Sequence, residues 1–235
     1  MPENGRSFIG GITGKILSSF IFICYQLHFI FIQIMIHRWP CDFSLRIMNM
    51  AIRPVNLTVS GTAISNEYAK TFSYHRDGKN QDRNLYRIPL YRMTISGRDD
   101  AGNAVQHTVR VIRFGVGWST QTNVSYVYGL AKLQSSYIRR WLPDYSVHSA
   151  RHVFKDYLIH DGADNPVREV YATAGCIDVC DDPYGFDRVN SLIIRLSGVE
   201  KALPRARQLR DIAHAGRKTI TYERALRPAL RLWNA

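Results

Sequence analysis

The alternation of apolar and polar residues in the first half of the chain predicts β-strands. Segments 55–60, 91–96 and 105–114 place apolar side chains at alternate positions through most of their length. A period of two sends those side chains to one face of a strand, as in a half-buried sheet. Residues 97–103, Gly-Arg-Asp-Asp-Ala-Gly-Asn, have the composition of a turn. We therefore expect the second and third segments to form a β-hairpin with a long loop.

The second half of the chain adds helices to this pattern. Residues 157–160 form a short apolar run that ends at Asp-Gly, which is typical of a strand followed by a turn. Residues 186–196 carry apolar side chains at helical spacing, and Gly198 is suited to end that helix. The same spacing recurs over 222–233, where Pro228 should bend or restart a helix. The predicted body, 51–235, is mainly β with C-terminal helices, α+β in class.

Residues 1–50 differ from the body and form a separate segment. Ile16 to Ile36 is a run of 21 residues without a charged side chain, and 16 of them are apolar. A helix of about 20 such residues spans a bilayer core, so this run is predicted to be a membrane anchor. Its crowding with Ile and Phe, and the Met48 that follows, also fit a second interpretation. In that interpretation the first 47 residues are translated from DNA upstream of the true start.

The net charge of +12 indicates an anionic partner, for which nucleic acid, an acidic membrane and an anionic cell wall all qualify. Half of the excess lies in 199–235, which has nine basic residues against three acidic ones. Four cysteines in 235 residues are too few for a disulfide scaffold. Cys176 and Cys180 lack a second pair of ligands in the body, so no metal or other cofactor is expected.

Cys176 and His160 are the strongest candidates for chemistry. Cys176 follows a glycine in Thr173-Ala-Gly-Cys-Ile, and His160 ends the predicted strand 16 residues earlier. A thiol needs a nearby base or a positive field to become a nucleophilic thiolate, so a catalytic Cys176 is expected to have a lowered pKa. Gly175 removes side-chain bulk beside the sulfur, and backbone N–H groups there can stabilise an oxyanion.

These residues resemble the catalytic motifs of the L,D-transpeptidase (YkuD-type) family. That family has a His-x-Gly or His-Gly element, followed at a similar spacing by Ser/Thr-x-Gly-Cys and an apolar residue. His160 and Gly162 match the first element, and Thr173, Gly175 and Cys176 match the second. The resemblance implies a β-sandwich fold of the L,D-transpeptidase type.

The resemblance covers roughly residues 155–198 and implies cysteine-dependent acyl transfer on peptidoglycan stem peptides. Cys176 would attack the amide after diaminopimelate while His160 takes its proton, and a thioester would remain. If an amine resolves the thioester, the enzyme is an L,D-transpeptidase. If water resolves it, the enzyme is an L,D-carboxypeptidase. The motif does not distinguish these two activities. The chain differs from the family at Ala174 and Asp178, where basic residues are common.

The two interpretations of the N-terminus imply two settings. A chain that starts near Met48 has no export signal although its substrate lies in the periplasm. It therefore resembles an antibacterial effector delivered by a secretion machine such as type VI, with an immunity protein as a further partner. A chain with a genuine anchor at 16–36 resembles a membrane-anchored wall enzyme, and only then is the membrane a partner. The divergent upstream half favours the effector.

Four other residues are weaker candidates, for substrate contacts: Thr173, Gly162, His148 and Arg113. No nucleic-acid partner is expected for an enzyme of this type. The competing hypothesis is a non-catalytic, basic, β-rich module that binds anionic cell-wall polymer or nucleic acid, with Cys176 as an inert buried thiol. Fast alkylation of Cys176 at neutral pH would favour the enzyme.

Overall fold

The fold is known for the body of the chain. The computed structural model describes residues 52–75, 79, 81–145, 149–155, 157–173, 175–181 and 183–234. All of these belong to one compact unit. The segment predicted to be an anchor or an upstream translation lies outside the described residues. Within the described part of the chain, no helix is long and apolar enough to cross a membrane.

Strands dominate the described residues, with two helices late in the chain. The strands are β1 Val55–Phe72, β2 Leu85–Arg98, β3 Ala104–Ile112, β4 Phe114–Ser119, β5 Val124–Gly129, β6 Gln134–Tyr137, β7 Arg140–Leu142, β8 Ala150–Phe154, β9 Tyr157–Asp161, β10 Ile177–Val179 and β11 Lys218–Tyr222. The helices are α1 Gly185–Ser197 and α2 Arg205–His214. The prediction of a mainly β fold with helices near the C-terminus is confirmed.

Nine of the strands form one mixed sheet in the order β6-β11-β1-β2-β3-β10-β9-β8-β7, and β4 and β5 pair separately. The predicted hairpin is confirmed as the antiparallel pair β2–β3. Two pairs are parallel, β1 with β11 and β9 with β10. Ser136 Oγ in β6 donates a 2.9 Å hydrogen bond to the carbonyl oxygen of Val153 in β8. The sheet therefore curls until its two ends approach each other.

The helix predicted over 186–196 is confirmed as α1. Its buried positions include Phe186, Val189, Ile193 and Leu196, which belong to the main apolar core. The helix ends at Gly198, whose φ of 64° lies in the left-handed region that glycine adopts most readily. The helix thus buries one apolar stripe against the sheet, as its sequence period requires.

The helix predicted over 222–233 is wrong. Tyr222 ends β11, and residues 223–231 carry neither helix nor strand. This C-terminal strap, residues 223–234, is held by backbone hydrogen bonds to other parts of the chain; for example, the N–H of Ala225 donates to the carbonyl oxygen of Ala131. Leu226 in the strap is 91% exposed, so the helical spacing buries no stripe here. The second helix is α2, which the sequence pattern did not predict.

Candidate active site

Strands β9 and β10 lie side by side and carry the two motif elements. Their parallel register pairs Ile159 with Ile177 and His160 with Asp178. Ile159 and Ile177 belong to the main core. Because side chains alternate along a strand, His160 and Asp178 point to the opposite face of the sheet. Cys176, two residues before Asp178, packs in a separate small cluster on that face. Strand pairing thus brings the predicted cysteine and histidine to one side.

His160 contacts Asp178 directly. Its Nε2 lies 3.1 Å from Asp178 Oδ1, although neither carboxylate oxygen has full hydrogen-bond geometry with any partner among the described residues. Its Nδ1 lies 2.8 Å from the carbonyl oxygen of Asp161. A carbonyl oxygen only accepts hydrogen bonds, so Nδ1 carries a proton and Nε2 is the basic nitrogen.

Burial controls the protonation of this pair. It lowers the pKa of His160, although the Asp161 carbonyl acts in the opposite direction. It raises the pKa of Asp178 well above the ordinary value, because a buried carboxylate loses its hydration, while the nearby Thr173 hydroxyl opposes that shift. Two unprotonated groups would point lone pairs at each other, so the pair holds one proton between Nε2 and the carboxyl group. Both pKa shifts favour the proton on Asp178.

The Cys176 thiol is protonated in this arrangement. Burial raises its pKa to about 11, and the charge of Asp178, when that carboxyl group is ionised, adds to the shift, while the backbone N–H of Leu158 opposes it. The expectation of a lowered thiol pKa is therefore wrong for this structure. Cys176 lies diagonal to His160 across the two strands, and among the described residues no hydrogen bond joins them.

Gly175 fixes the backbone that leads into Cys176. Its φ of +85° is a conformation that other residues rarely adopt. A Cβ at this position would lie 2.8 Å from the Cα of Gly129 and 3.0 Å from Cδ1 of Tyr128. The space beside Gly175 is therefore filled by the end of β5, whereas the sequence suggested that the missing side chain leaves free space beside the sulfur.

Gly162 and Thr173 secure the two ends of the loop between β9 and β10. A Cβ at Gly162 would lie 2.8 Å from the carbonyl oxygen of Val179, which accepts a hydrogen bond from the Gly162 N–H. Thr173 is 2% exposed, and its carbonyl oxygen would lie 1.8 Å from a Cβ at Gly115. Both residues pack tightly against neighbouring strands, and their contact with a substrate stays a prediction.

Arg113 is buried in the main core. Its guanidinium donates hydrogen bonds to the carbonyl oxygens of Ser60, Leu130 and Glu223. The side chain is fully buried, and burial lowers its pKa. An arginine bound by three backbone carbonyls has a structural role, which argues against the predicted substrate contact. His148, the remaining weak candidate, lies outside the described residues.

Two tyrosines beside His160 were not singled out from the sequence. The ring centroids of Tyr145 and Tyr171 lie 5.6 Å and 6.2 Å from the imidazole. The Tyr171 hydroxyl donates a 2.7 Å hydrogen bond to the same Asp161 carbonyl that faces His160. Tyr145 is 52% exposed, so the side of His160 that faces Tyr145 is the side nearest to solvent. Asp178 was also missed; its position two residues after Cys176 in an apolar strand was the available signal.

Cys180 is separate from this group in chemistry. It is fully buried, and its Sγ donates to the backbone carbonyl oxygen of Asp178 at 3.3 Å. Cys176 and Cys180 are both free thiols. Within the described residues, no set of three or more His, Cys, Asp or Glu side chains is placed to hold a metal ion.

No protein-family model, curated protein or solved structure matches the chain. The candidate site combines a thiol, an imidazole with one basic nitrogen, and a carboxyl group that shares a proton with that nitrogen. These are the components of nucleophilic cysteine chemistry assisted by a general base.

Proposed function

We propose that the chain is a cysteine-dependent acyl transferase of the L,D-transpeptidase type that acts on peptidoglycan stem peptides. One observation carries the proposal: the parallel pairing of β9 and β10 places Cys176, Asp178 and His160 on one face of the sheet. The motif resemblance supplies the substrate class. The mainly β architecture is compatible with the β-sandwich of that family, and this finer assignment is part of the proposal.

The proposed reaction begins when the imidazole turns Nε2 from Asp178 toward the thiol. Nε2 takes the proton of Cys176 as the sulfur attacks the carbonyl carbon of diaminopimelate, at its amide bond to D-alanine, so a C–S bond forms. The amide C–N bond then breaks, and His160 gives its proton to the amine of the departing D-alanine. Asp178 keeps the shared proton throughout, which leaves a neutral imidazole available as the base. An amine acceptor or water resolves the thioester.

The proposed place of action is the periplasm. The enzyme is either delivered there as an antibacterial effector, with an immunity protein and secretion components as partners, or held at the membrane by residues 16–36. The effector is the preferred setting, because the matched motif stands beside an upstream half without family motifs.

A second candidate function is supported by the raised pKa of Cys176. A thiol that is buried and protonated is also what an inert core cysteine looks like. Arg224, Arg227 and Arg231 are exposed on the C-terminal strap and could bind an anionic cell-wall polymer. In this alternative the chain is a non-catalytic binding module.

Muropeptide analysis of peptidoglycan incubated with the purified chain distinguishes the two functions. The enzyme converts tetrapeptide stems to tripeptides or to new cross-links and releases D-alanine. The binding module sediments with peptidoglycan and leaves the muropeptide pattern unchanged. Unchanged muropeptides from a folded chain, across several peptidoglycan sources, would overturn the enzyme proposal.

A further inference from the structure

Two cationic side chains point into the main core from different strands. Arg151 in β8 pairs with Ile159, and Lys218 in β11 pairs with Val55. Ile159 and Val55 are core residues, so alternation directs both cations to the core side of the sheet. The exposed fractions of Arg151 and Lys218 are 0% and 1%. Burial of an uncompensated charge is strongly unfavourable, so this arrangement requires a compensating group.

The described residues supply only part of that compensation. Asn190 Oδ1 in α1 accepts hydrogen bonds from Nε and Nη2 of Arg151, at 3.1 and 2.6 Å. Within the described part of the chain, Nη1 of Arg151 and Nζ of Lys218 are buried without a hydrogen-bond partner, and so is the indole Nε1 of Trp141. The Trp141 ring lies against the guanidinium, 4.9 Å from it. Among the described residues, three donor nitrogens therefore lack an acceptor.

These donors belong to one region of the core. Trp141 and Arg151 are direct partners in the β7–β8 ladder. Lys218 lies near them through the short connection from β6 to β7, because its carbonyl oxygen accepts a hydrogen bond from the N–H of Ile138, three residues before Trp141. The charge of Arg151 contributes to lowering the pKa of Lys218, after the effect of burial. Arg151 keeps its own charge at neutral pH, since burial lowers its pKa only to about 9.

We propose that Arg151, Lys218 and Trp141 bind a small inorganic anion, such as chloride, phosphate or sulfate, inside the fold. Such an anion accepts hydrogen bonds from these N–H groups and neutralises the positive charges of Arg151 and Lys218. It also links β8, which neighbours the His160 strand, to β11 at the other end of the curled sheet. This site is independent of the proposed acyl-transfer chemistry and lies on the opposite face of the sheet.

The test is thermal unfolding of the full purified chain at constant ionic strength, with sodium gluconate replaced stepwise by sodium chloride, phosphate or sulfate. Binding to the folded state predicts a saturable rise in Tm of several degrees with at least one of these anions. Lys218→Met should lose that rise, because it removes one donor and one charge at similar volume. Lys132→Met, at an exposed lysine, should keep it.

Equilibrium dialysis of the unmodified chain against radiolabelled phosphate, sulfate or chloride gives a second readout that needs no variant. About one bound anion per chain supports the site. A Tm that does not respond, a linear response shared by all salts, or a saturable response that persists in Lys218→Met would each overturn it, as would the absence of bound anion in dialysis.

Discussion

The Cys176 sulfur is expected to be required for activity and dispensable for folding. Cys176→Ala removes one atom from a small apolar cluster, so the loss of stability should be about 1 kcal/mol. Activity on tetrapeptide stems should fall below detection, because among the described residues no other thiol lies on this face to form the thioester. Muropeptide analysis measures the activity, and circular dichroism checks the fold.

Cys180→Ser is the matched control for that substitution. Serine retains a donor for the Asp178 carbonyl oxygen, and Cys180 has no role in the proposed reaction. Most of the activity should therefore remain. Wild-type turnover by Cys176→Ala would show that the nucleophile is another residue, and complete loss in Cys180→Ser would show that the two thiols act together.

Asp178→Asn should shift the alkylation profile of Cys176. Once Asp178 has lost its shared proton at alkaline pH, its charge raises the pKa of the thiol. Removing that charge should therefore move the midpoint of the alkylation rate from about pH 11 to a lower pH. Iodoacetamide labelling followed by mass spectrometry across this pH range measures the shift. Asp187→Asn, in an exposed carboxylate of α1, is the control. An unchanged midpoint in Asp178→Asn would refute the electrostatic coupling.

Alkaline pH should destabilise the wild type more than Cys176→Ala. The pKa of this thiol is raised from 9.0 to about 11 in the fold, so the folded state favours the protonated form. The protonated thiol therefore adds to the free energy of unfolding. This stabilisation is fully present below pH 9 and is lost as the pH rises through 11, a change of about 3 kcal/mol. Urea denaturation of both proteins over this range should show the difference. Parallel pH curves would contradict it.

The identity of the two motif residues could be predicted from sequence, but their contacts could not. Spacing and residue type singled out Cys176 and His160. The direct partner of His160 is set by strand register, which joins residues 18 positions apart and has no local signature. The surroundings of Arg113 also depend on long-range contacts. The sequence suggested a substrate contact, whereas the fold places its guanidinium among backbone carbonyls of the core.

At the scale of elements, the Gly175 turn should be the least tolerant part of the site. Gly175→Ala adds a Cβ 2.8 Å from Gly129 at a φ of +85°, so backbone must move. Gly102→Ala is a matched control with the same φ and nothing within 4 Å of the new Cβ. The control should lose about 1–2 kcal/mol for the left-handed conformation alone, and Gly175→Ala clearly more. Urea denaturation measures both; equal losses would contradict the tight contact.

Elements with a clear period and a suitable end were predicted well. The β2–β3 hairpin has alternation and a turn, and α1 has an apolar stripe closed by Gly198. The strap has apolar residues at helical spacing but forms no helix and does not bury them as a stripe. Backbone hydrogen bonds to Leu85, Arg87 and Ala131 hold it in another conformation. Such long-range bonds override helical spacing and are absent from any local pattern.

At the scale of the whole molecule, the proposed chemistry should need only the body. Every residue of the candidate site lies beyond 144, and the first strand begins at Val55. A protein that begins at Met48 should therefore be soluble, folded and active in muropeptide analysis. If it is insoluble and only the full chain extracted in detergent is active, the apolar segment is integral and the anchored enzyme replaces the effector.

The location of that shortened protein should decide its effect on a bacterium. Sent to the periplasm by an added signal peptide, it should slow growth or distort cells, because stem peptides are accessible there. In the cytoplasm it should be harmless, since cross-linked stems are absent. The control is the same shortened protein with Cys176→Ala, also sent to the periplasm. It has the same net charge and lacks only the sulfur. Growth curves and microscopy would measure the effect. Equal toxicity of the two periplasmic forms would point to binding by the basic surface, because the thioester can then play no part.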